Sequence, residues 1–212
     1  MWLSPSSITV SASDMKVLLV SASVSNRLQR ELYEKYGISA GFAIQKYYRL
    51  LEEGLVLNGA SVEALSVVPI KKSEAPFGCR RFGKETERGV AYRYLPYLRF
   101  APLYHVFVVV ALLFKVFWWC VRNRKDAVVL CDILIPSVGI GTALGAALGC
   151  GKRIAWVTDM PGIKAGGRDT FDGMGLLGRL HVRAVRSYSA FVFATAQCNE
   201  KLNLKGRPYV VI

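Results

Sequence analysis

The sequence predicts an α/β protein built on a doubly wound parallel sheet. Short apolar runs rich in β-branched residues recur along the chain, and segments of helical or loop character separate them. Runs of about four to eight such residues are typical of strands buried on both faces, because crossover helices cover both sides of a parallel sheet. The alternation of strands and helices indicates the α/β class.

The apolar runs give a sheet of about seven strands. They are residues 17–20, 62–68, 90–95, 127–131, 153–158, 190–195 and 209–212. The last run ends the sequence. We therefore expect the chain to be the first half of a larger cleft.

Among the composition data, the net charge limits the possible binding partners most. The net charge is +13, the hydrophobic content is 52% and the mean hydropathy is +0.29. Such a positive excess favours an anionic partner: nucleic acid, an acidic membrane surface or a phosphate-bearing substrate. The basic residues are spread over several segments and form no zinc-finger, RNP or homeodomain pattern, which disfavours nucleic acid.

The cysteines and histidines give no metal or disulfide pattern. Five cysteines lack CxxC spacing and two histidines lack paired spacing. We expect reduced thiols in a cytosolic protein, with no metal site and no cofactor.

The first strand is predicted to lead into a long polar loop. Residues 1–14 are Ser-rich and are predicted to be a disordered extension, with the domain spanning 15–212. Residues 21–40 are the predicted loop, at the carboxyl end of the first strand, where doubly wound folds bind ligands. This loop, which contains Gly37 and leads to Gly41, is therefore a candidate ligand-binding loop, although a flexible connection remains an equal alternative.

A helix is predicted after this loop. Ser39 is a candidate N-cap, and the Asn58-Gly59 pair marks the end. The apolar positions with helical spacing are Ala43, Tyr47, Leu50, Leu51 and Leu55.

Residues 102–121 are the most hydrophobic segment, and basic residues follow at once. Its length of about twenty residues would just span a bilayer. Lys115 and His105 count against a span, and a span would also separate the first three strands from the last four. A buried crossover helix is the default, and an interfacial helix with Trp118 and Trp119 at headgroup level is the main alternative.

Glycines recur after the fourth strand. Gly139, Gly141 and Gly145, with Asp159 twenty residues after the first of them, invite a dinucleotide-binding interpretation. However, the spacing is GxGxxxG and the glycines come too late after the strand for its phosphate-binding turn. Gly141, Gly145 and Gly149 instead predict a smooth helix face that packs closely on the sheet.

The loop after the fifth strand supplies the substrate-side candidates. Asp159, Gly162 and Arg168 fall where the carboxyl edge of a parallel sheet forms its crevice. Asp159 is a candidate to hold a sugar hydroxyl, with capping of a turn as the alternative.

A basic row follows on the next predicted helix. Arg179, Arg183 and Arg186 share a helix face that would suit lipid phosphate or pyrophosphate, with a solvated face as the alternative.

The ordered motifs resemble the N-terminal, Rossmann-like domain of GT-B glycosyltransferases of family four, of the capsular and exopolysaccharide type. The resemblance covers residues 16–212. It is carried by KVLLVSAS, the Gly41-containing loop, DAVVLCD, WVTDMPG, SAFVFATAQCNEKLN and KGRPYVVI. Two departures are the absence of a clear Gly-Gly pair in the first loop and of a histidine after the fourth strand, where residues 132–136 stand instead.

The resemblance implies a function in polysaccharide biosynthesis. A retaining enzyme of this family transfers a sugar from a nucleotide-sugar donor to a lipid-linked or saccharide acceptor, without a metal. It implies Gly41, and less directly Gly37, on the donor-phosphate side, and Asp159 on the acceptor side.

The donor-binding domain of the family has a Glu-x7-Glu pattern, and no two glutamates here have that spacing. We therefore expect an acceptor-side domain that is inactive alone, peripheral on the cytoplasmic face of an anionic cell membrane. The alternative is a non-catalytic, membrane-recruiting subunit of a split glycosyltransferase. A nucleotide-binding oxidoreductase domain is a third, weaker hypothesis.

Overall fold

The computed structural model describes residues 15–71, 73–124, 126–149, 151–158 and 175–212. The predicted extension at residues 1–14 lies outside this range. The elements are, in chain order, β1 (Lys16–Ser21), α1 (Asn26–Tyr36), α2 (Phe42–Leu57), β2 (Ser61–Ser66), β3 (Cys79–Arg80), β4 (Glu85–Glu87), β5 (Val90–Tyr94), β6 (Tyr97–Leu98), α3 (Ala101–Arg122), β7 (Ala127–Asp132), α4 (Pro136–Leu148), β8 (Lys152–Val157), α5 (Leu176–Val185), β9 (Ala190–Phe193), α6 (Ala196–Leu202) and β10 (Tyr209–Val211).

One sheet of eight strands organises the fold, in the order β10-β9-β8-β7-β1-β2-β5-β4. Every neighbouring pair is parallel except β4 and β5. The seven predicted strands are the parallel ones, so the predicted fold class is confirmed. The chain adds strands outward from β1 in one direction and then, from β7, in the other, which is the Rossmann-like doubly wound order.

Helices cover both faces of the sheet. Leu28 and Leu32 of α1 and Tyr48 of α2 pack with Val17 and Leu19 of β1 on one face. Helices α3, α4, α5 and α6 pack on the other face, against Leu18 and Val20 of β1 and against buried residues of the neighbouring strands. The alternating inward residues of β1 therefore serve two separate cores, as the apolar run predicted.

Helix α1 corrects the prediction of a long polar loop over residues 21–40. Ser25 caps the helix by accepting a hydrogen bond from the Leu28 amide at 3.0 Å. Gly37, with φ of 64°, ends it in the left-handed conformation, and the Ile38 amide reaches back to the Leu32 carbonyl. The segment has a polar composition because only a narrow stripe of the helix, centred on Leu28 and Leu32, is buried.

Helix α2 is confirmed, but its cap and buried face differ from the prediction. Its N-cap is Gly41, with φ of 78°, rather than Ser39. Of the predicted apolar positions, Leu50 is 59% exposed and Tyr47 is 38% exposed. Its fully buried residues are Gln45, Tyr48 and Glu52.

Helix α3 is the predicted crossover from β5 to β7, and it follows β6, which pairs with β3 in a separate two-stranded antiparallel sheet. Val108, Leu112, Val116 and Cys120 are fully buried on its inner side. Among the described residues, its Leu103–Arg122 stretch alone is long and apolar enough to cross a membrane, yet only 28% of the apolar window is buried in the protein. The inner side of α3 therefore packs on the sheet, while several of its large apolar side chains are exposed on the outer side.

The glycine face of α4 packs closely, as predicted, but on α3 rather than on the sheet. A Cβ on Gly141 would lie 2.8 Å from the Val109 carbonyl oxygen, and one on Gly145 would lie 2.6 Å from that of Leu113. These approaches are too short for any side chain, so glycine lets the two helix backbones touch. The sequence did not show whether this glycine face would pack on the sheet or on another helix.

Candidate functional site

The candidate site is the crevice at the carboxyl ends of β1 and β7. Strand β1 pairs with β2 on one side and with β7 on the other, so the strand order reverses between β1 and β7. Ligands of doubly wound proteins bind outside the strand ends at such a point, because the flanking crossovers diverge there and leave a gap. Residues 21–25 end or follow β1 and residues 132–135 end or follow β7 at this edge.

The loop after β1 is tied to α2 by buried hydrogen bonds. The Gln45 side chain accepts from the Val24 amide at 2.8 Å and donates to the Ala22 and Ala40 carbonyls at 2.9 and 3.3 Å. The Ser23 hydroxyl donates to Glu52 at 2.5 Å. This network places the start of α2, at Gly41, beside the end of β1.

Gly41 combines a left-handed backbone with an uncapped helix start. No side chain caps α2, and a Cβ at Gly41 would lie 3.0 Å from the Ile44 methyl group. The first amides of the helix therefore point past a residue with no side chain, which is compatible with the predicted donor-phosphate side. Gly37 has a structural explanation without a ligand, because it ends α1.

Asp132 forms the other wall of the crevice, at the end of β7. It is 3% exposed, accepts a hydrogen bond from the Tyr48 hydroxyl, and accepts another from the Leu134 amide at 3.0 Å. Burial raises the pKa of Asp132, and burial together with the adjacent carboxyl raises the pKa of Tyr48. The pair holds the turn that leads into α4.

Trp156 completes this wall from the neighbouring strand. It lies beside Asp132 in the β7–β8 register, and its ring contacts those of Tyr47 and Tyr48 at centroid distances of 4.9 and 5.6 Å. Its indole nitrogen is buried and has no hydrogen-bond partner among the described residues. The wall is thus aromatic with a few polar groups, which is the usual composition of a small-molecule pocket.

Glu52 is the most perturbed carboxyl near the crevice. It is fully buried and accepts hydrogen bonds from Ser23 and, at 2.6 Å, from Tyr92. Burial raises the pKa of Glu52 to about 7, although both hydrogen bonds lower it. Protonation of Glu52 near neutral pH therefore acts directly on the loop after β1.

The predicted site residues fall in three places. Asp159, Gly162 and Arg168 lie outside the described residues, although the chain enters their segment from the end of β8, at the crevice edge. Gly41 begins α2, which Gln45 ties to the loop after β1. Gly37 is at the far end of α1 from Ser25.

The basic row belongs to a different layer. Arg179 and Arg183 are exposed on α5, which lies across the sheet from α2. Arg186 is half-buried and donates to the Lys201 carbonyl at 3.3 Å. Two of the three arginines therefore share an exposed face, and the third turns towards α6.

The sequence analysis missed the polar face of α2. Gln45, Tyr48 and Glu52 lie at i, i+3 and i+7, so they share one helix face, and that spacing was visible in the sequence. Their partners after β1 and β7 were not visible, because Tyr48 and Asp132 are 84 residues apart. Within the described part of the chain, no three His, Cys, Asp or Glu side chains group to hold a metal ion.

Together these features define an α/β protein with a Rossmann-like sheet and a polar, aromatic crevice at its switch point. No protein-family model matches the chain, and no curated protein matches it.

Proposed function

We propose that the chain is the acceptor-side domain of a retaining glycosyltransferase of polysaccharide biosynthesis. It would present a lipid-linked or saccharide acceptor to a nucleotide-sugar donor held by a second lobe. In that transfer an acceptor hydroxyl oxygen bonds to the anomeric carbon, the bond to the nucleotide phosphate breaks, and the hydroxyl proton leaves with the phosphate side.

The single observation that carries this function is the crevice between β1 and β7. Motifs that resemble those of the family, KVLLVSAS and DAVVLCD, form these two strands and their ends. Gly41, expected on the donor-phosphate side, lies beside the end of β1 through Gln45. Tyr47 is 38% exposed and lies against the buried Trp156, so it offers one apolar ring against which a sugar or a prenyl chain can pack.

Asp132 has a positioning role in this proposal. Its carboxyl fixes the Leu134 amide and the Tyr48 hydroxyl, and it is too buried to meet a bulky acceptor directly. Changing it would move the start of α4 and the adjacent wall. Acceptor binding should therefore suffer more than donor binding.

A transfer assay tests the function. The 212-residue chain and the complete reading frame that contains it are each incubated with labelled nucleotide sugars and prenyl-diphosphate-linked saccharides. We expect transfer only when a donor lobe is present. Turnover by the 212 residues alone, or tight binding of NAD by them, would overturn the proposal.

Asp132→Asn in the active form supplies the matched comparison. It should raise KM for the acceptor by about tenfold, from the loss of about one charged hydrogen bond, and leave KM for the donor unchanged. Asp126→Asn is the control, because Asp126 lies just before the amino end of the same strand and is exposed. Equal effects of the two changes would refute the positioning role.

The membrane-recruiting subunit of a split enzyme is a second candidate, favoured by the exposed apolar surface of α3. In this second candidate the donor lobe belongs to a separate polypeptide, whereas in the first it belongs to the same chain. If activity appears only when a separate donor-binding polypeptide is added, this second candidate is supported and the single-chain form is wrong.

A further inference from the structure

The outer side of α3 carries a continuous apolar row. The residues Leu103, Val106, Val110, Phe114 and Trp118, called here the outer stripe, follow one another at intervals of three or four and are 47–61% exposed. The stripe runs from residue 103 to residue 118 of this 22-residue helix, a length of about 23 Å at about 1.5 Å per residue. Single exposed apolar residues are common, but a row of this length marks an interaction surface.

Helix α4 widens this apolar surface. It has no charged residue, and Leu144 and Leu148 on its outer side are 45% and 62% exposed. The glycine contacts described above bring the α4 backbone against α3, so the two outer sides are adjacent. The protein therefore exposes a broad apolar face on the layer opposite α2.

Basic residues surround the outer stripe. Arg99 precedes it, Lys115 flanks it, and Arg122 and Arg124 follow it, all of them exposed. The sequence has no acidic residue between Glu87 and Asp126. An apolar helix face flanked along its own segment by cations alone is complementary to the surface of an anionic bilayer, where acyl chains meet phosphate groups.

Beside the stripe, a groove of about 570 Å³ opens between α3 and the β2–β5 part of the sheet. Phe114, Trp118, Lys115 and Arg122 line one side of it. On the other side, Arg93 and Glu63 form an ion pair at 3.1 Å. Because Arg93 is paired with Glu63, the cations that the groove leaves for a phosphate group are Lys115 and Arg122.

We propose that the outer stripe of α3 and the adjoining side of α4 are a docking surface for an anionic lipid bilayer, with α3 lying in the plane of the interface. A second copy of the chain is disfavoured, because pairing two such faces would bring their cationic borders together. A membrane-spanning α3 is incompatible with the burial of Val108, Leu112 and Val116 against the sheet.

This docking surface ends beside the candidate site. His105, near the start of α3, lies 3.3 Å from the hydroxyl of Ser137 at the start of α4, and α4 begins directly after the Asp132 turn. Docking by α3 would hold the crevice close to the lipid phosphates. The inference does not depend on sugar transfer, since vesicle binding requires no donor lobe.

Vesicle co-sedimentation tests the docking surface. The purified chain is mixed with phosphatidylcholine vesicles that contain or lack phosphatidylglycerol, at low and high salt. We expect binding to the anionic vesicles, weakened by salt. Absence of binding to anionic vesicles would overturn the proposal.

Val110→Glu/Phe114→Glu should lower the partition coefficient by about tenfold or more, because two apolar contacts with lipid are lost. Leu50→Glu is the control, since Leu50 is 59% exposed on α2, across the sheet, and it should change binding by less than about twofold. Lys115→Gln/Arg122→Gln, which keeps the stripe, should lower binding to anionic vesicles by about tenfold.

Circular dichroism confirms that each variant is folded. Equal binding by folded Val110→Glu/Phe114→Glu would refute the assignment. The proposal would also be overturned if the wild-type protein does not bind vesicles but forms a dimer that Val110→Glu/Phe114→Glu dissociates. That result would assign the face to a second copy of the chain.

Discussion

Replacing Glu52 by glutamine should remove a pH dependence of stability that the fold builds into the loop after β1. Glu52 is fully buried and accepts hydrogen bonds from Ser23 and Tyr92. Burial raises its pKa from 4.5 to about 7. Between these values the folded protein holds a proton that the unfolded chain has released.

The sign follows from proton linkage. Because the folded state binds more protons across this window, the free energy of unfolding falls as the pH rises from about 4.5 to about 7, and it levels off above. At about 1.4 kcal/mol per pH unit, the total contribution of Glu52 is about 3 kcal/mol. The Glu52→Gln side chain stays neutral and keeps an oxygen that accepts one of the two hydroxyls.

Urea unfolding followed by circular dichroism, between pH 4.5 and 8, measures this contribution. The difference between wild type and Glu52→Gln should shift by about 3 kcal/mol across the window, in favour of the variant at high pH. Glu34→Gln, at an exposed position of α1, is the control and should follow the wild-type profile. If Glu52→Gln keeps the wild-type slope, the assignment of the raised pKa to Glu52 is refuted.

Two further changes test the packing and the crevice. Gly145→Ala should lower the free energy of unfolding by about 1–3 kcal/mol, because its Cβ would lie 2.6 Å from the Leu113 carbonyl oxygen. Gly54→Ala is the control: nothing lies within 4 Å of its Cβ, so it should stabilise α2 by about 0.5–1 kcal/mol. Equal shifts of the two variants in thermal unfolding would contradict the close α3–α4 contact. Tyr48→Phe should cost about 1–3 kcal/mol in urea unfolding, with a larger loss at high pH, because the hydroxyl favours the charged form of Asp132. A loss that is the same at all pH values would show that the hydrogen bond is not made to a carboxylate.

The sequence predicted the sheet well because strands buried on both faces must be apolar along their whole length. It missed β4, since an edge strand of sequence Glu-Thr-Glu carries no apolar signal and is visible only through its pairing with β5. It missed α1 because a helix with a narrow buried stripe has a polar composition. The caps of α1, Ser25 and Gly37, were the available signal.

The candidate site was less predictable. Position at a strand end directed attention to the loop after β1, and the role of Gly41 there stays a prediction. The buried polar side chains of α2 were missed, because nothing in local sequence indicates that Glu52 would meet Ser23 and Tyr92. Such pairings depend on how elements that are distant in the sequence pack together. In the sequence alone they are visible only as polar residues at helical spacing.

Amide chemical-shift mapping tests the central claim that the crevice between β1 and β7 is the ligand site. The labelled chain is titrated with a short-chain prenyl diphosphate, with and without an attached sugar. The account predicts shift changes concentrated at residues 21–25, 40–41 and 132–135. Changes confined to the amino edge of the sheet, around residues 58–60 and 126, or no change at saturating ligand, would contradict it.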